Sequence, residues 1–177
     1  MPHIELPVGI PGIGSLLRYR PETGRVVGEF GEVLLRGPGP LTRGERELIA
    51  SHVSALNGCV YCHGVHAECA AAQLPGGRDV VDQVRANPET AEVSERMRAL
   101  LAIAGLVQRG GREVTPEAVE RARAAGADDV EIHDTVLIAA AFCMFNRYVD
   151  GLATTTPDDP ADYTTTAKRL IAQGYSG

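Results

Sequence analysis

Two cysteines and two histidines, Cys59, Cys62, His63 and His66, stand within the run NGCVYCHGVH at residues 57–66. Three chemistries use such a set: C-x-x-C-H attaches a covalent haem, Cys and His side chains hold zinc, and C-x-x-C is a dithiol redox centre. Haem attachment requires export and a second axial ligand. The N-terminal run MPHIELPVGIPGIG has neither the basic start nor the apolar stretch of a secretory signal and is broken by Pro2, Pro7 and Pro11, so export is not expected. Structural zinc takes ligand pairs from separate segments, whereas these four fall within about two turns of one helix. With Cys59 at zero, a helix puts Cys62 near roughly 300°, His66 near roughly 340° and His63 near roughly 40°. They share a face without surrounding an ion, which leaves only a three-ligand site completed from elsewhere.

The dithiol reading uses the same spacing well. Cys59 and Cys62 are an i, i+3 pair whose sulfurs can bond after a small adjustment, and Cys62 meets His66 at i+4. A helix N-terminus favours thiolate at this end. The dipole alone points to Cys59 as the more acidic thiol, and the His66 pairing points to Cys62. The plain alternative is two small buried cysteines and a core histidine. Cys69, about 15 Å along the axis from Cys59, reads as structural, and Cys143 as a small buried hydrophobe.

The elements that must hold these residues read as helices throughout, with no period-two alternation long enough for a strand. The expected fold class is all-α, one helical domain over 1–177 with its redox core at 42–72. Thr42 and Glu45 form a capping box; Leu48, Ile49, Val53 and Leu56 follow as an apolar stripe that stops at Asn57-Gly58. A second helix starts at the Cys59 turn and runs to Pro75-Gly76-Gly77, making a hairpin with the first. Pro21 and Gly37 bound another helix, Val80 to Val84 suggests a short one, and Met97 to Val107 a longer one ending at Gly110-Gly111. Thr115 and Asp159 each precede a proline that opens a helix, and these helices are expected to end near Gly126 and Gly174. Glu131 to Val149 is apolar nearly all round, which suits a helix buried centrally or at a subunit contact.

Across the hairpin, Glu47 lies level with residue 68 and within about one turn of His66, so it could orient that imidazole. Helical periodicity alone opposes this. It puts Glu47 off the apolar stripe, on a solvated face with Arg43 as its partner, and puts His52 in the stripe as a hydrogen-bonded core histidine.

The composition narrows the partners. The 177 residues are 44% hydrophobic and carry a formal net charge of −6, with no run of Lys and Arg for a nucleic acid or an anionic membrane. The longest apolar run, Val136 to Phe145, is about half the roughly 20 residues of a membrane span. A cytosolic protein with reduced thiols is expected.

Glu47, Cys59, Cys62 and His66 form the pattern E-x11-C-x2-C-x3-H, which resembles the core motif of the alkylhydroperoxidase D family within the carboxymuconolactone decarboxylase-like superfamily. The surrounding LTRGERELIASHVSALNGCVYCHGVHA and the later FNRYVDGL, Phe145 to Leu152, resemble its peroxidase-related branch. The resemblance implies an all-α fold of that type, assembly into trimers or hexamers and no bound cofactor. It implies that Cys62 attacks a small hydroperoxide, Cys59 resolves it, Glu47 and His66 relay protons, and an external dithiol, a lipoyl or thioredoxin-like protein, restores the thiols. Where the characterised peroxidase carries a histidine before the second cysteine, this chain has Tyr61, and its own histidine follows as His63, an auxiliary candidate. A non-enzymatic redox-sensing subunit and a decarboxylase-like acid-base enzyme are the rival readings.

Overall fold

The computed structural model describes residues 1–176; Gly177, the last residue of the expected domain, lies outside the described residues. Among the described residues there is no strand, and the fold is all-α. The helices are α1 (Ile13–Tyr19), α2 (Pro21–Arg36), α3 (Arg43–Leu56), α4 (Val60–Gln73), α5 (Gly77–Ala86), α6 (Glu95–Arg109), α7 (Pro116–Ala124), α8 (Asp129–Gly151) and α9 (Pro160–Gln173), with a 3-10 turn at Gly111–Glu113.

The helix ends follow local chemistry. Thr42 caps α3 by accepting from the Glu45 N–H at 3.2 Å, while the Glu45 carboxylate accepts from the Thr42 N–H at 2.8 Å. Thr115 and Asp159 cap α7 and α9, each ahead of a proline whose missing N–H leaves nothing unpaired. A second capping box, Asp128 with Glu131, starts α8 two residues before the expected Glu131. Arg96 on α6 ion-pairs with both box glutamates, Glu45 and Glu131, and so ties the first turns of α3 and α8 together.

The stripe model of α3 needs correction. From Arg46 to Ser54 the helix is buried on every side, because α4, α5, α6 and α8 all pack against it, whereas Leu56 at its end is exposed. Arg46 sits in this interior by donating to the carbonyls of Leu34, Gly37 and Leu41, which closes the connection from α2 to α3. The α8 helix, expected to be buried centrally or at a subunit contact, packs on α6 and α3 and leaves Val130, Leu137 and Met144 exposed at 52%, 37% and 49% within the chain. Its Arg147 reaches the surface, while Asn146 is buried.

Two smaller expectations also shift. His52 is buried as expected, but its ring makes no hydrogen bond among the described residues; it lies beside Gly105, and burial pushes its pKa down to about 4, so it is neutral. Cys143 is half-buried and faces the Asn57 amide at 3.6 Å.

Two glycines within helices respond oppositely to a methyl group. At Gly24, where α1 crosses α2, a Cβ would sit 2.1 Å from the Leu17 carbonyl oxygen. Gly24→Ala is expected to destabilise by about 1–3 kcal/mol, the usual range for overpacking. At Gly105 a Cβ would meet Leu56 and His52 at 3.7 and 3.8 Å, ordinary contact. Gly105→Ala is expected to stabilise by about 0.5–1 kcal/mol through better helix propensity. Urea midpoints measured on both variants check the contrast, and shifts of the same sign would refute it.

Candidate functional site

The α3–α4 hairpin positions the reactive groups. Gly58 turns the chain at φ 73°, a left-handed value that suits glycine, and the Cys59 N–H then donates to the Ser54 carbonyl at 3.0 Å. Cys59 is thereby the N-cap of α4, with Cys62 at the third helical position and His66 one turn further on. Across the turn the Glu47 carboxylate accepts from His66 Nδ1 at 2.6 Å. Donation from Nδ1 leaves Nε2 of a neutral imidazole as the acceptor.

Helical periodicity put Glu47 in solvent beside Arg43; it is instead 2% exposed. The reason is a residue that sequence reasoning missed. Tyr175 donates its phenol O–H to the second Glu47 oxygen at 2.6 Å and stacks on the His66 ring at 6.0 Å and 10°. Phe142 meets the same imidazole edge-on at 4.6 Å. Burial and the Glu47 charge hold the Tyr175 phenol well above its ordinary pKa, which keeps it a donor.

The tail bearing Tyr175 is clamped by α2. Glu32 accepts from the Tyr175 N–H at 2.8 Å and from Arg36, and Arg36 also donates to the Leu170 and Ile171 carbonyls at the end of α9. Gly174 is required twice over, by φ 89° and because a Cβ there would come within 2.4 Å of a Glu32 oxygen. The glycine stop was legible in the sequence, but nothing marked the tyrosine after it.

The two thiols are poised in opposite directions. Cys62 is held below its ordinary pKa, first by a hydrogen bond from the Cys59 thiol and also by the His66 charge and a hydrogen bond from Asn146, against burial and the Asp150 charge. Cys59 is pushed up, as the donor in that bond and then by burial. Dipole reasoning alone pointed to Cys59, and the hydrogen-bond order reverses it. The FNRYVDGL stretch accounts for part of this: Asn146 also donates to Ser54 Oγ at 3.1 Å and accepts from Asn57 at 2.8 Å, which fixes its amide beside the thiols.

His63 lies elsewhere. Its Nδ1 is 3.1 Å from Ser51 Oγ and 3.2 Å from the Ser51 carbonyl, apart from the Glu47–His66 pair. Cys69 is fully buried, and burial followed by the Glu47 charge raises its pKa. Cys62, His66 and Tyr175 open onto a cavity of about 730 Å³, which Cys59 does not line. Among the described residues no group of three His, Cys, Asp or Glu side chains converges as metal ligands would.

Residues 21–75, from α2 to the end of α4, match the Carboxymuconolactone decarboxylase family. An uncharacterized peroxidase-related protein from Ralstonia eutropha JMP134, solved as an alkylhydroperoxidase AhpD core, superposes with a TM-score of 0.79 at 29% identity over 90% of this chain and 82% of its own. The chain is similar to alkylhydroperoxidase D-like proteins and shares their fold. An uncharacterized peroxidase-related protein from Silicibacter sp. TM1040 is similar at 26% identity, with a TM-score of 0.78 over 88% of this chain and 79% of its own. A protein of unknown function from Agrobacterium tumefaciens shares the fold at 23% identity, with a TM-score of 0.70 over 81% and 97% of the two chains. No curated protein matches the sequence significantly. The segment matched by the Carboxymuconolactone decarboxylase family contains Glu47, both thiols and His66, but not Asn146, Asp150 or Tyr175.

The thiol asymmetry sets a pH dependence. Alkylation of Cys62 by iodoacetamide should rise with pH through a midpoint below the free-thiol value of about 8.5, because thiolate forms early and is the reactive species. Cys59→Ala removes the donor that lowers Cys62, so its midpoint should move to higher pH. Mass-spectrometric alkylation rates across pH measure both, and an unmoved midpoint would contradict the assigned hydrogen bond.

Proposed function

We propose that the protein is a thiol peroxidase that reduces hydrogen peroxide or organic hydroperoxides through a Cys59/Cys62 dithiol–disulfide cycle. The observation that carries this reading is the line of contacts from Glu47 through His66 to the cavity that Cys62 lines, with Cys59 at the N-cap of the same helix, three residues before it.

His66, oriented by Glu47, takes the Cys62 proton. The thiolate attacks the terminal peroxide oxygen; the O–O bond breaks, Cys62 becomes a sulfenic acid, and the departing alkoxide or hydroxide takes a proton from His66. The Cys59 thiol then attacks the Cys62 sulfur and releases water, leaving a disulfide that an external dithiol, a lipoyl or thioredoxin-like protein, reduces. No bound cofactor enters these steps. Tyr175 acts on the relay through Glu47 and is a positioning residue. His63, held by Ser51, has no assigned step.

The decarboxylase chemistry in the family's name would use the same acid-base pair but has no need of a dithiol. A redox-sensing subunit would form the disulfide without turning over. The assay that separates these readings follows peroxide consumption with a recycling dithiol. Cys62→Ser is expected to abolish consumption, and Cys59→Ser to react once and stop as a sulfenic acid trapped by dimedone. His66→Ala and Glu47→Gln should each slow the reaction at neutral pH and recover as pH rises, since hydroxide then replaces the lost base. Disulfide formation without turnover would reject the peroxidase in favour of the sensor, and trapping in Cys62→Ser rather than Cys59→Ser would reverse the thiol roles.

The protein is further proposed to work as a homo-oligomer, a trimer or hexamer. Val130, Leu137 and Met144 are exposed at seven-residue spacing on one face of α8, a spacing that lines up apolar side chains for a helix contact. Light scattering should give a multiple of 18.8 kDa for the chain, and Leu137→Glu with Met144→Glu should reduce it; a wild-type monomer at micromolar concentration would reject the assembly.

A further inference from the structure

The cavity above Cys62 is far larger than hydrogen peroxide requires. Its volume of about 730 Å³ is more than twenty times the roughly 30 Å³ share of one water and lies within the range of sites for drug-sized ligands. Its walls are mainly apolar, with Ile13, Leu17, Val27, Leu35, Val65 and Phe142 drawn from α1, α2, α4 and α8.

The charged residues that line it are all of one sign. Arg18 at the end of α1, Arg25 near the start of α2 and Arg169 on α9 contribute, and no Asp or Glu does. This is unexpected in a chain whose 23 acidic residues outnumber its 17 Lys and Arg. Arg25 is paired with Glu29 at 2.7 Å. Arg18 and Arg169 have no ion pair or hydrogen bond among the described residues and are exposed, so their guanidinium groups are free to meet an anion.

An apolar hollow with a thiol and an imidazole in its wall and unpaired arginines at its edge selects an amphiphile. We infer that the cavity binds a single-chain carboxylate, and that the substrate is a long-chain fatty-acid hydroperoxide whose hydrocarbon fills the apolar part while its carboxylate meets Arg18 and Arg169. The substrate assignment rests on the peroxidase reading; the carboxylate site does not. In that reaction the acid's terminal peroxide oxygen passes to Cys62 as the O–O bond breaks, the chain oxygen is protonated by His66, and a hydroxy acid leaves. Condensation of the sulfenic acid with the Cys59 thiol then yields the disulfide and water.

The test uses the reduced full-length chain. Titration calorimetry compares decanoate, decan-1-ol and decylammonium, which share a tail and differ in head charge. Decanoate is expected to bind about ten-fold tighter than the other two, the scale of one charge-assisted hydrogen bond. The double variant Arg18→Gln, Arg169→Gln should weaken decanoate to the level of the alcohol without moving the alcohol, with circular dichroism reporting retained helix. In turnover, a fatty-acid hydroperoxide should have the higher kcat/KM over its own methyl ester. Equal affinity for decanoate and decanol, tighter decylammonium, or no binding of any of them would overturn the inference. Selective decanoate binding without hydroperoxide turnover would uphold the carboxylate site and reject the peroxidase. Hydrogen peroxide turnover without carboxylate selectivity would do the reverse.

Discussion

A carboxylate withdrawn from water must be matched by donors, and Glu47 is withdrawn almost completely. One oxygen is bonded by His66 and the other by Tyr175, so the two residues that share the carboxylate are also stacked on one another. Much of the architecture serves this arrangement. The tight turn at Gly58 levels Glu47 with His66, and the grip of Glu32 and Arg36 on the end of α9 delivers the phenol. Loss of any one donor leaves a buried charge incompletely satisfied, a cost of about 1–3 kcal/mol.

The reactive pair depends on a second asymmetry imposed from α8. The dipole at the helix N-terminus favours Cys59, the thiol nearest the end, so another influence must set the order of the pair. What separates them is which sulfur accepts. Cys62 receives from Cys59 and Asn146 and stands beside His66, while Cys59 faces Asp150. Asn146 is in turn held by Ser54 and Asn57, and Asn57 accepts from Gln108 at 3.0 Å. A chain of neutral amides therefore fixes where the negative charge rests, without adding another ion to the interior.

The local parts of this design were legible from residue order. The Thr42–Glu45 box, the Asn57-Gly58 turn and the prolines after Thr115 and Asp159 act within a few residues, and each helix they bound forms where expected. Glu47 shows where such reasoning stops. Periodicity assumes a helix with one wet face, and α3 has none along its middle, because its surroundings are supplied by α4, α6 and α8. The family pattern placed Glu47 against His66, but the phenol on its other oxygen lies 128 residues away, beyond the reach of any spacing rule. Asn146 was visible only as part of a familiar string, with its amide contacts to α3 and the hairpin turn hidden until the helices were packed.

That distance along the chain also orders events during synthesis. Translation runs from the N-terminus, so the cysteine hairpin leaves the ribosome well before α8 and long before Tyr175. A nascent chain in that interval holds both thiols with neither the amide that favours one of them nor the ring that shuts Glu47 from water. Completion of the site is therefore a late event, reached only when the residues around Gly174 are released and close over a hairpin made more than a hundred codons earlier.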